Sequence, residues 1–210
     1  MFRTGLTLLP ILLAACLATA QEPAGQLQNK TVPTAIEKQV RQALAHYPEL
    51  TGTTIRFVFT DRLNTSIMAA RPTFGSLFRK KENRVYNILI NPTFKLGNGD
   101  TPSVGRIPDS VMVGWLGHEL GHIMDYEQKS RWGIMAMGVS YTLSKNYIRK
   151  AERRADRHAV DRRMADYLIA KKSFILNHDE LPQAYRDRIE ALYLSPDDIR
   201  GLAAGMYTRY

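Results

Sequence analysis

His118 and His122 are the residues of this chain whose type and spacing point most directly to chemistry, within the string His118-Glu119-Leu120-Gly121-His122. Residues four apart on an α-helix lie one above the other on the same face, so the two imidazoles can address a single point. That arrangement suits a metal ion. Glu119 is turned about 100° around the axis from His118, near enough to act on a metal-polarised water without ligating the metal itself. General base is the role this predicts. Zn2+ accepts both imidazole and carboxylate, and a catalytic zinc site needs three protein ligands with the fourth position left open. The chain must then supply one more ligand.

Glu152 and Asp156 stand next in line. They are four apart in KAERRADRHA, so both carboxylates leave one face of a second helix. One can ligate while the other accepts the remaining ring N–H of a bound histidine and fixes its tautomer. Glu152 fits the first role and Asp156 the second. The competing reading is a solvated helix on which both acids pair with the surrounding arginines.

The two strings together resemble the gluzincin metallopeptidases, in which HExxH on one helix is completed by Glu, with Asp four residues later, on another. Glu152, Ala155, Asp156 and Ala159, an E-x-x-A-D-x-x-A arrangement, are most similar to single-domain relatives of the CAAX prenyl protease and HtpX-type peptidases. The ImmA/IrrE-type peptidases are also similar, although they often have Asn where this chain has Asp156. The resemblance extends over residues 85–170 and implies no particular substrate. It also implies that the strand preceding the HExxH helix borders the cleft, which would let Val85, Asn87 and Leu89 bind an extended peptide by strand addition. An ordinary core strand is the plainer reading of the same residues.

Several elements must position these groups. The spacing of Ile36, Val40, Ala43 and Leu44 predicts a supporting helix over 33–46. Residues 55–60, 66–70 and 84–91 read as strands, the last ended by Pro92. Gly97, Gly99, Pro102 and Gly105 mark 94–107 as a loop, expected to cross one rim of the site. Asp109 or Ser110 should cap the HExxH helix. Gly114, Gly117 and Gly121 weaken that helix by up to ~1 kcal/mol each, which calls for close packing as compensation. Asp125 and Tyr126, one turn beyond His122, suit capping or surface roles better than support of a metal. The apolar stretch 132–143 is too short to span a bilayer and is expected to cover the core. Tyr141, Tyr147, His158 and His178 are candidates for stabilising an oxyanion, and spacing places none of them. Two further helices are expected over 182–192 and from Ser195 onward.

Residues 1–20 combine basic Arg3, an apolar run and small residues, the pattern of an export signal. Cleavage after Ala20 competes with a lipobox-like Leu13-Ala14-Ala15-Cys16 that would leave Cys16 lipidated. The product would be periplasmic or secreted in the first case and anchored to the envelope in the second. Cys16 is the sole cysteine, so no intramolecular disulfide is available. Residues 21–32 read as a tether and 33–210 as one domain. The net charge of +9 falls to about +8 once Arg3 is removed with the signal. Such a balance favours anionic partners, including acidic peptides and membrane headgroups, and basic patches or a lipid on Cys16 would bring the chain to a membrane surface. The absence of a nucleic-acid-binding motif, together with export, argues against nucleic acid.

The expectation is thus an α+β, mainly helical zincin-like domain with a small antiparallel sheet beside the HExxH helix. Its function would be zinc-dependent endopeptidase action on peptides or proteins, with His118, His122 and Glu152 as ligands, Glu119 as base and Asp156 as support. The alternative is a cell-envelope binding or assembly protein on the same scaffold, with a structural zinc.

Overall fold

A computed structural model describes residues 27–207 apart from 64, 65, 95 and 97. The expected signal, Cys16 and the start of the tether lie outside the described residues. Four short strands, β1 (Lys30–Thr31), β2 (Thr54–Phe59), β3 (Met68–Pro72) and β4 (Val85–Ile90), form one sheet in the order β1-β2-β4-β3. β1 and β4 run parallel to β2, and only β3 is antiparallel, to β4. The sheet is therefore mixed, which corrects the antiparallel expectation. The cause lies in the connections: α1 (Glu37–Ala45) carries the chain from β1 back to the start of β2, as a parallel pairing requires.

The tether ends earlier than its composition suggests. Lys30 belongs to β1, and its Nζ lies 2.7–3.0 Å from the carbonyl oxygens of Gln28, Leu50, Thr51 and Thr53. Residues 30 and 31 are thus part of the sheet.

Alternation decides which face of the sheet is covered. Tyr86, Ile88 and Ile90 of β4 and Ile55 and Phe57 of β2 are buried, whereas the residues between them are more open. The buried face receives α1 and the long helix α2 (Asp109–Glu127). Every residue of α2 from Val111 to Asp125 is buried, because the sheet and α1 cover one side of it and α4 (Lys145–Val160) and α5 (Ala165–Leu176) the other. α6 (Gln183–Leu192) packs on α4 and α5, as does α7 (Pro196–Tyr207). Ser195 and Asp198 cap α7 reciprocally, each side chain accepting from the other's backbone N–H at 3.0 Å.

The glycines of α2 are where its neighbours come closest. A Cβ on Gly121 would lie 2.4 Å from the carbonyl oxygen of Ala155 in α4, and one on Gly114 2.2 Å from that of Tyr167 in α5. Ala151, Ala155 and Ala159 give α4 a low-relief face towards α2. Small residues on both helices bring the two backbones together, and so bring their side chains within reach of one another.

The start of α2 differs from expectation. Pro108 occupies the cap, with no side-chain cap bond, and Asp109 instead pairs with Lys38 (2.7 Å) and Gln39 (2.8 Å) of α1. The 94–107 loop packs Phe94 against Phe174 of α5, and none of its described residues lines the cavity beside His118 and Glu119. α3 (Arg131–Leu143) covers the core on one face only. Ile134 and Met137 are buried, whereas Trp132 and Leu143 are largely exposed.

Candidate metal centre

His118 and His122 are presented by consecutive turns of α2, and Glu152 by α4 at the place where Gly121 lets that helix approach. The Nε2 atoms of both histidines converge on Glu152 Oε2, at 3.0 and 3.3 Å, and one ligand atom from each residue lies within 4.8 Å of the other two. All three residues are buried. This cluster could bind a metal ion.

Asp156, one turn beyond Glu152 and wholly buried, lies 2.8 Å from His118 Nδ1 through Oδ1. Its Oδ2 accepts from Lys172 Nζ (2.9 Å) and the Leu194 backbone N–H (3.1 Å), and Lys171 Nζ is 3.9 Å from Oδ1. Sequence reasoning passed over Lys171 and Lys172. Two adjacent lysines inside the apolar run YLIAKKSFIL were the available signal, since a lysine is rarely fully buried without an acid to pair with. Tyr193, also unforeseen, has Lys172 Nζ 4.1 Å from its ring centroid and is tilted against the His118 ring at 5.3 Å.

The donor set fits a cation. His118 faces a carboxylate through each nitrogen, Asp156 at Nδ1 and Glu152 at Nε2, so hydrogen bonding alone would satisfy both only with a doubly protonated ring. With a cation among the three ligand atoms, Nδ1–H donates to Asp156 and the Nε2 lone pair faces the ion, which is the arrangement usual for a ligating histidine.

Without an ion the buried acids and bases of the cluster hold one another's charge. Burial alone would raise the Glu152 pKa, but the neighbouring His122 and His118 outweigh it and hold the carboxyl well below its usual range. Burial would likewise raise Asp156, and Lys172, His118 and Lys171 together bring it down. Burial would lower His122, but Glu152 and Glu119 carry it up to about 8. Lys172 is drawn down by burial to about 8 and so still carries its proton at neutral pH.

Glu119 stands beside the three candidate ligands and accepts a 2.6 Å hydrogen bond from the Ala70 backbone N–H. Ala70 belongs to β3, the edge strand. Asn91 N–H bonds to Ile67 O and Thr73 N–H to Val85 O, so the odd residues of β3 pair with β4 while Met68 and Ala70, both buried, turn their backbone groups away from it. The Tyr126 hydroxyl donates to the Ala70 carbonyl at 3.2 Å. A cavity of about 20 Å3, lined by Met68, Trp115, His118, Glu119 and Lys171 among others, has room for about one water molecule.

Val85, Asn87 and Leu89 are not brought to this site. β4 is an interior strand: these three residues spend their backbone groups on β3, and their side chains leave the sheet opposite the face that packs on the helices. The strand bordering the site is β3. Of the oxyanion candidates only Tyr141 arrives, its hydroxyl donating to Glu152 Oε1 from the inner face of α3. Tyr147 lies under Arg154, His178 stacks on Phe174, and His158 has its neighbours around Arg162 and Asp125. Asp125 is a structural anchor: buried, it takes Lys129 at 2.5 Å and Arg154 through both oxygens at 3.2 Å.

Comparison with family models, with curated proteins and with solved structures finds no match to the chain. The geometry therefore carries the functional argument by itself.

Proposed function

We propose that the chain is a zinc-dependent peptidase of gluzincin type, exported through its first twenty residues, that hydrolyses peptide bonds with Glu119 as general base. One observation carries this reading: a carboxylate that is not among the three candidate ligands stands beside them, in the wall of a small cavity that the edge strand β3 also lines. The Ala70 N–H occupies one oxygen of that carboxylate and leaves the other for chemistry. His118, His122 and Glu152 would hold the zinc, which when bound supplies Lewis acidity towards a carbonyl and towards water.

The chain's own residues do the rest. The Ala70 N–H orients the Glu119 carboxylate through Oε2, leaving Oε1 to take a proton from water in the cleft. The water oxygen adds to the carbonyl carbon, the C–N bond breaks, and Glu119 returns the proton to the departing amine. The substrate carbonyl would enter the cavity beside Ser66, Ile67 and Met68, the residues at and just before the start of β3 that line it. Tyr141 is the O–H donor nearest the ligands and the residue best placed to steady a developing oxyanion once its bond to Glu152 is released.

The test is metal analysis coupled to cleavage of an unbiased peptide library. Glu119→Gln should retain zinc and lose hydrolysis by about 10²-fold or more, the scale of a general base. A zinc-loaded parent that cleaves nothing in the library would favour a binding or assembly protein with a structural metal.

A further inference from the structure

The outer face of α3 has no role in the metal centre, and its composition is specific. Trp132, Met135, Val139 and Leu143 are 65, 37, 59 and 79 % exposed. At about 100° per residue these four project within an arc of roughly 80°, a single stripe along the helix. The opposite face is fixed, since Ile134 and Met137 are buried and Tyr141 reaches Glu152. α3 is thus held to the body of the protein with an apolar ridge turned outwards.

A second apolar pair is exposed on the segment that leads into β4. Phe74 and Phe78, 69 and 58 % exposed, stack edge to face at 5.3 Å. The segment that follows them ends at Arg84, whose guanidinium donates to the carbonyl of Lys129 at 2.9 Å, two residues before α3 begins. That bond ties the end of the segment to the residues that lead into α3.

Charge identifies the occupant. From Gln128 to Ala151 the chain carries Arg131, Lys145, Arg149 and Lys150, besides Lys129 that is paired with Asp125, and no acid, and Phe78 is followed by Arg79, Lys80 and Lys81 before Glu82. A second copy docked through this face would bring like charges together. An anionic lipid surface meets both requirements, apolar depth for the ridge and negative headgroups for its flanks. The helix is about 20 Å long, too short to cross a bilayer, and among the described residues no helix is long and apolar enough to do so. It would lie in the plane of the surface.

We propose that the α3 ridge, together with the Phe74–Phe78 turn, docks this protein on an anionic lipid surface, independently of the peptidase reading and of any lipid on Cys16. The chain has two tryptophans, and Trp115 is buried, so Trp132 is the natural reporter. The full chain is titrated with brominated vesicles of equal parts phosphatidylglycerol and phosphatidylcholine, and with brominated phosphatidylcholine alone. Expected are quenching and a blue shift of Trp132 emission on the mixed vesicles, at least about 10-fold weaker binding to phosphatidylcholine alone, and loss of the quenching signal in Trp132→Phe. Val139→Asp with Leu143→Asp, both at solvent-facing positions, should weaken binding by about 10-fold or more while the circular dichroism spectrum is unchanged. Sedimentation with vesicles without quenching of Trp132 would assign the binding to another segment and overturn the proposal. So would a failure to bind, or a concentration-dependent dimer that shields Trp132 from an aqueous quencher.

Discussion

Asp156 does more than steady a histidine, and this changes what its removal should do. Lys171 and Lys172 are 1 % exposed, and Asp156 is the acid that faces both. Asp156→Ala leaves two buried cations without it, so the metal-free domain should lose about 3–5 kcal/mol, measured by urea unfolding. Asp156→Asn preserves the shape but also removes the charge that faces Lys171 and Lys172, so it too should destabilise the metal-free domain, with an expected loss of zinc affinity of about 10–100-fold besides. Glu152→Ala should abolish tight zinc binding, and Arg157→Ala, on the exposed side of α4, should leave it unchanged. If Glu152→Ala binds zinc like the parent, the third ligand lies elsewhere. Arg154 would be a poor control, because it pairs with Asp125. That pairing carries its own prediction. Burial would raise the Asp125 pKa, but Lys129 and Arg154 hold it below its ordinary value. The stability it contributes is then fully present above the unfolded-state pKa, near 4, and is lost as the pH falls through the lower folded-state value. Asp125→Asn should therefore flatten the drop in urea midpoint between pH 6 and 3. Curves of equal slope for the two proteins would show that Asp125 carries no linkage.

The helices that bear the ligands were legible as elements, and their contact was legible only in part. HExxH and E-x-x-x-D each define a face, and Gly114, Gly117 and Gly121 announced that something must pack tightly, but no spacing says what meets a glycine. In the fold each has its own partner: backbone of α5 for Gly114, Met164 for Gly117 and backbone of α4 for Gly121. The difference can be tested. At Gly121 an added methyl meets the rigid Ala155 carbonyl at 2.4 Å, so Gly121→Ala should push α4 away and lose both stability and zinc affinity. Overpacking costs about 1–3 kcal/mol. At Gly117 the obstacle is the flexible end of Met164, 2.5 Å away, so Gly117→Ala should cost less. Unfolding and zinc titration of the two variants give the order, and equal losses would refute the close approach of α4 at Gly121. The role given to β4 in the sequence reading failed for a related reason. Alternation shows which side chains of Val85–Ile90 are buried, but whether a strand is central or at an edge depends on pairings made far along the chain.

Across the whole molecule, composition and pattern were sufficient for a mainly helical α+β domain with a small sheet, and insufficient for its topology. The parallel pairing of β1 with β2 rests on two residues, Lys30 and Thr31, inside a segment whose Gln, Pro and Gly content suggests a tether. Local composition cannot show that Lys30 will find four carbonyls. The same holds for α2, whose sequence resembles an ordinary buried helix but which is enclosed on every side from Val111 to Asp125. Enclosure of that kind sets a clock. An amide in a helix with one wet face can exchange its hydrogen through local fraying, whereas these amides have no layer between them and the core to peel away, so deuterium enters only when the entire domain opens. The turn carrying His118 and His122 is thus expected to be the slowest-labelled stretch among the described residues, and its protection reads the free energy of global opening.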